Sequence, residues 1–271
     1  APLLVAGAQD PGTDKPAAGQ KADLPEGQAL LDRFIEASGG KEAFEKIKNR
    51  VTRGTVELVG MGFTGSMISY SAAPCHHYEA IEFSGMPKAE KGTDGAVAWE
   101  RNARGVKVLA GLERAIFLRT STMPPYESYK LHYSKVECTG TETVGEHPCY
   151  RVMMTPNEGE PETWFFDREK GLLRAMHMPY PAPMGSVLIK ISLQDYREVD
   201  GLLLPHRVEN KLPGAVFAIN VTTMEHNVEM PEDRFAIPED VKALLEMERA
   251  KKASEAEKEG KPEKAEKEGE G

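Results

Sequence analysis

Up to about Asn49 the apolar residues recur every three to four positions, and from Val51 onward they recur every second one. In "EGQALLDRFIEASGGKEAFEKIKN" the residues Leu30, Leu31, Phe34 and Ile35 fall on one helical stripe. Gly39-Gly40 stop it, and Ala43, Phe44 and Ile47 start a second, shorter stripe. This predicts a helix hairpin with one apolar face, which must lie on something. The change to period two predicts strands over "VTRGTVELVG", "FTGSMISYSAAP" and "CHHYEAIEFSG", then a hairpin in "GAVAWERNARGVKVLAG" turning at Asn102 to Gly105. Helical spacing returns once, at Leu112, Ala115, Ile116 and Leu118, ahead of a break at Pro124-Pro125. Strands follow over "YKLHYSKVECTG", "HPCYRVMMTP", "ETWFFD", "GLLRAMHM", "SVLIKISLQDY", "LLLPHRVEN" and "AVFAINVTTMEH". Their turns are marked by Asn157-Glu158-Gly159, Asp167 to Gly171 and Asp200-Gly201.

About eleven strands in antiparallel succession cannot stay flat, because twist accumulates across a sheet and long free edges invite aggregation. A curled, mainly β (α+β) domain follows. Val187, Ile189, Ile191 and Leu193 alternate with mixed residues, so one face of that strand is apolar; Phe217, Ile219 and Val221 repeat the pattern. In "WFFD", Trp164 and Phe166 share one face and Phe165 takes the other, so both sides of the strand need cover. Leu202 to Leu204 supply both faces at a strand start, and Pro205 is tolerable only on an edge or at a bulge, which predicts a bent rim there.

The two ends change the picture. Residues 1–26 read as a signal-peptide remnant ("APLLVAGA", with an A-x-A pattern) followed by a flexible linker rich in Pro, Gly and Ala, and so point to export. Residues 248–271, rich in Glu and Lys and almost without residues to bury, read as a disordered charged tail. The domain expected to fold is 27–247. A formal charge of −9 without a basic stripe argues against nucleic acid. No apolar run approaches the ~20 residues of a transmembrane helix.

Chemistry is sparse. The sequence has no G-x-S-x-G, no Walker or Rossmann glycine pattern in context and no H-E-x-x-H, so nothing compels an enzyme and no cofactor is implied. His76 and His77 are adjacent on a strand and point to opposite sides. In "AMHMPYPAPMG" the soft ligands Met176, His177, Met178 and Met184 suggest Cu(I), but His177 leaves the face its methionine neighbours share. Adaptable apolar lining is the better functional reading, with ordinary core packing beside it. Cys138 and Cys149 bracket a hairpin and could be joined in an oxidising compartment. With the turn centred on Gly145-Glu146 they are not directly opposite, so bridged and free forms both stay open.

The order of "EASGGKEAFEKIKN", "VTRGTVEL", "GTDGAVAWE", "TGTETVGEHPCYRVMMTP", "ETWFFDREKGLLRA", "DYREVDGLLLPHRV" and "FAIPEDV" resembles outer-membrane lipoprotein-sorting proteins of the LolA/LolB-like superfamily, over residues 27–242. The resemblance implies a half-open antiparallel β-barrel closed by short helices, with a hydrophobic cavity for acyl chains in the periplasm or cell envelope. The expected role is lipid or lipoprotein binding and carriage without catalysis; the alternative is an envelope sensor or interaction module of the same fold that binds a protein partner at a sheet edge. Residues expected to line the cavity are Phe63, Met67, Trp99, Phe166, Met176, Met178, Ile189, Ile191, Phe217 and Ile219. At about 0.8 kcal/mol per buried methylene, ten methylenes would contribute roughly 8 kcal/mol before ordering costs, which is strong and still reversible.

Overall fold

A computed structural model describes residues 24–182 and 185–259. Two short helices open the described chain, α1 (Gly27–Ala37) and α2 (Lys41–Glu45). Six strands follow: β1 (Asn49–Leu58), β2 (Phe63–Ala72), β3 (His76–Phe83), β4 (Ala89–Thr93), β5 (Ala98–Asn102) and β6 (Gly105–Val108). Helices α3 (Gly111–Ser121) and α4 (Pro125–His132) lead into β7 (Tyr133–Val144), β8 (His147–Pro156), β9 (Glu162–Asp167) and β10 (Leu173–Ala182). β11 (Gly185–Val199), β12 (Leu202–Leu212), β13 (Ala215–His226) and α5 (Glu239–Glu259) complete it.

All thirteen described strands form one antiparallel sheet in the order β6-β5-β4-β3-β2-β1-β13-β12-β11-β10-β9-β8-β7. Every pairing joins sequence neighbours except β1 with β13, and the two end strands do not pair, so the barrel stays half open. Two elements exceed the expectation from pattern. β4, "AEKGT", has no apolar alternation to announce it, and α4 begins with Pro125 at its first turn, where a missing N–H costs nothing. The expected strand from Tyr129 therefore starts only at Tyr133.

The helices pack on the concave face. Leu30, Leu31 and Ile35 of α1, Phe44 of α2 and Tyr126 and Tyr129 of α4 form one buried cluster with Val152, Met154, Trp164, Phe166, Leu202 and Leu204. α3 touches both β5 and β10, so it lies across the concavity. It is tied down by Arg119, whose guanidinium pairs with the carboxylate of Glu162 in a fully buried salt bridge. Tyr133 Oη and Trp164 Nε1 also donate to Glu162 Oε2, each at 2.9 Å.

On the convex face the chain after β13 covers β1 to β6. Arg234 stacks over Tyr70 at 4.3 Å, Arg101 donates to both Asp240 oxygens, and Val241 is fully buried. The charged segment from Glu248 is helical as far as Glu259, as part of α5; residues 260–271 and 1–23, and with them the signal-peptide reading, lie outside the described residues.

The Asp200-Gly201 turn has positive φ at both residues, 50° and 78°, which matches a tight β-hairpin. It docks on the end of α1. Leu203 N donates to Ser38 O at 3.0 Å, and a Cβ on Gly39 would stand 2.3 Å from Gly201 O, so only glycine fits there. Pro205 does not mark an edge strand, since β12 is internal. It sits where β12 runs on past the last β13 rung, Arg207 opposite Asn220, and faces Tyr196 just after the positive-φ residue Asp195. Its missing N–H therefore breaks no ladder bond.

Candidate functional site

Strand registers decide which side chains meet inside the sheet. One row runs across it as Trp164, Met176, Ile191, Asn210, Phe217, Leu58 and Phe63. A second runs Leu193, Val208, Ile219, Val56, Gly65 and Phe83. A third, polar, runs His226, Arg50, Ser71, His77 and Thr93. Side chains two residues apart on a strand share a face, so all three rows are concave.

Between this face and the helices lies a cavity of ≈ 270 Å³, near the lower end of the about 300–1,000 Å³ typical of ligand sites. Its apolar wall is Phe34, Phe44, Ile47, Met123, Leu193 and Leu202 to Leu204. Its polar wall is Ser38, Arg50, Ser69, Ser71, His77, Thr120 to Thr122 and His226. Leu193 belongs both to the cavity and to the second apolar row, so the two are continuous along β11.

Nine of the ten residues expected to line a ligand lie on this concave face, and one does not. Phe166 and Met178 are packed into the core, Met67 is buried, Met176, Ile189, Ile191, Phe217 and Ile219 are half-buried, and Phe63 is 47% exposed at the rim. Trp99 is on the other side. It pairs through Gly92 with Tyr78, in phase with the convex Tyr70, and is covered by the Arg101 guanidinium at 5.4 Å. None of the ten borders the cavity itself.

The polar wall was not anticipated. Arg50, Ser71, His77 and His226 come from four strands and meet only through register, although "NRVTRGTVEL" carries the signal: Arg50 is in phase with the inward Val56. Burial lowers the Arg50 guanidinium below its ordinary range, and among the described residues no carboxylate or hydrogen-bond partner engages it. Burial pushes His77 down to about 4, and its Nδ1 shares a 3.0 Å hydrogen bond with Ser71 Oγ. Burial also lowers His226, against Asp200, which accepts from its Nδ1 at 2.9 Å. His226 Nε2 and Ser38 Oγ are buried without partners. Glu79, beside His77, is held ionised by Lys91 at 3.0 Å although burial opposes its charge.

The other expected chemistry takes a different shape. Met176 and Met178 share the concave face while His177 stacks on Phe165 on the opposite one, 4.7 Å between ring centres, so no copper site assembles from them; Met184 lies outside the described residues. Among the described residues no group of three or more His, Cys, Asp or Glu is placed to hold a metal. Cys138 faces Val152 and Cys149 faces Glu142. Cys138 packs on the concave cluster, Cys149 with Phe165 and Ala175 on the opposite face, and both thiols are free. The two thiols thus stand apart on opposite sides of the sheet, the free form of the two that the sequence left open.

No family model matches the chain, and no curated protein is similar to it in sequence. Solved structures match its fold. A LolA superfamily protein from Nitrosomonas europaea superposes with a TM-score of 0.55 at 11% identity, covering 79% of this chain and 99% of that one. A DUF1329 family protein from Desulfovibrio piger gives 0.53 at 14%, covering 78% and 98%. A domain assigned to outer membrane lipoprotein sorting from Vibrio parahaemolyticus gives 0.51 at 12%, covering 81% and 99%. The fold is therefore that of a LolA-like half-barrel, and at these identities the likeness is one of fold alone.

Proposed function

We propose that this chain binds the acyl part of a lipid or lipoprotein in the periplasm or cell envelope and carries it without chemical change. The observation that carries the reading is the cavity between the helices and the concave face, continuous through Leu193 with two mostly apolar rows in which Met176, Ile191, Val208, Phe217, Ile219 and Leu58 are only half-buried. Monomers seldom leave such apolar surface without an occupant. The lipoprotein-sorting assignment of the Vibrio domain, and the LolA superfamily membership of the Nitrosomonas protein, support the same class of cargo. Phe63, Met67, Met176, Ile189, Ile191, Phe217 and Ile219 are the proposed lining, with Phe166 and Met178 as its floor; residues 1–26 would be the export signal's remnant and a spacer.

Binding of a protein partner by strand addition is the weaker reading. The free edge β7 carries Lys135, Glu137 and Glu142 and two register shifts, devices that discourage an added strand. Native mass spectrometry after gentle extraction should find lipid bound, and a fluorescent fatty acid should be taken up. Empty protein that also refuses the fatty acid would sink the proposal.

A further inference from the structure

The cavity gathers polar groups that the fold leaves unanswered. Arg50 reaches it from β1 without an anion, and the two nearby carboxylates are already engaged, Glu79 by Lys91 and Asp200 by His226. His226 Nε2 and Ser38 Oγ, both lining the same cavity, are buried and unpartnered. A half-buried guanidinium without a counter-charge invites an anion, and orphaned buried polar atoms usually mark a missing water, ion or ligand. Two of them line this cavity, beside the Arg50 charge. Opposite these and the other polar groups the wall is apolar at Phe34, Phe44 and Leu193, and it leads toward the row at Val56, six residues or about 20 Å from Arg50 along β1.

We infer that the occupant is a single-chain amphiphile with an acidic head group, a carboxylate or phosphate monoester, whose head pairs with Arg50 inside the protein while its acyl chain runs toward the Val56 and Leu58 rows. This rests on the acyl-binding reading and names its substrate class. A guanidinium fork matches the two oxygens of either head group, and the unpartnered Ser38 Oγ of the same cavity is a further donor for it. The sheet thus selects by the head as well as the tail.

The test is calorimetric titration of the full chain with dodecanoate, dodecyl phosphate, dodecanol, acetate and inorganic phosphate. The two acidic amphiphiles should bind at least about tenfold more tightly than dodecanol, the advantage expected of a hydrogen-bonded buried charge. In Arg50→Met that advantage should vanish while dodecanol still binds, and Arg50→Lys should keep it. Equal binding of all three amphiphiles by the wild type, or an undiminished preference in Arg50→Met, overturns the head-group inference and leaves acyl binding intact. Binding of no amphiphile at all overturns both. Inorganic phosphate binding as tightly as dodecyl phosphate would assign the site to a free anion and also overturn it. Relieved of an unpaired, half-buried charge, ligand-free Arg50→Met should unfold at no lower denaturant than the wild type; an early unfolding would give Arg50 a structural role and count against the inference.

Discussion

At the scale of single residues, the sequence reveals a side chain's phase on its strand more readily than its neighbours. Gly39 was legible only as a helix stop, yet its tightest constraint is the backbone of Gly201 against it. With φ at 121°, Gly39→Ala should cost about 2 kcal/mol or more, read as a lower urea midpoint with an unchanged slope. His77 gives a pH signature. Its folded pKa of about 4 lies below the ordinary 6.5, with Glu79, Lys91 and Arg50 as its charged neighbours, so the unfolded chain binds more protons between those values. Its contribution to stability is full above about pH 6.5 and is lost as pH falls through the window to about 4. Comparing urea unfolding of the wild type and His77→Gln across that range should show a flatter profile in the variant; parallel curves would remove His77 as the cause.

At the scale of elements, the alternation of apolar residues placed most strands, and composition hid the others. β4 was invisible because its pairing between β3 and β5, not its own pattern, makes it a strand. α4 was masked by Tyr and Leu residues that suit a strand equally well. The face of Trp99 could not be read from β5 alone, since the cover over it, from the Arg101–Asp240 pair, arrives from a helix 139 residues away. α3 owes its place to one buried ion pair, and there the prediction is direct. Glu162→Ala strands Arg119, Tyr133 and Trp164 without their shared acceptor and should destabilise the fold by about 3–5 kcal/mol. A loss below about 1 kcal/mol would mean that water substitutes for the carboxylate.

At the scale of the whole molecule, the two faces of the sheet separate ligand effects from stability effects. Phe217→Glu, on the concave side, should weaken uptake of a fluorescent fatty acid severalfold, whereas Trp99→Phe, on the convex side, should leave uptake unchanged and lower only the unfolding midpoint. Equal losses from both would contradict the assignment of faces. The half-barrel itself was legible as a curled sheet, because so many consecutive antiparallel strands have no flat alternative. The cavity was not, since its polar wall exists only where β13, β1, β2 and β3 come into register.

The one rung pattern that skips sequence order, Arg50 opposite His226, also divides the molecule into two meanders, β1 to β6 and β7 to β13, each stitched from neighbouring hairpins. Closing so long a loop costs chain entropy that hairpins do not, so this suture is the step expected to come last in folding. Arg50 and His226 stand on its two sides. A guest gripping both would act as a clasp on the finished suture, making a loaded carrier harder to pull open than an empty one.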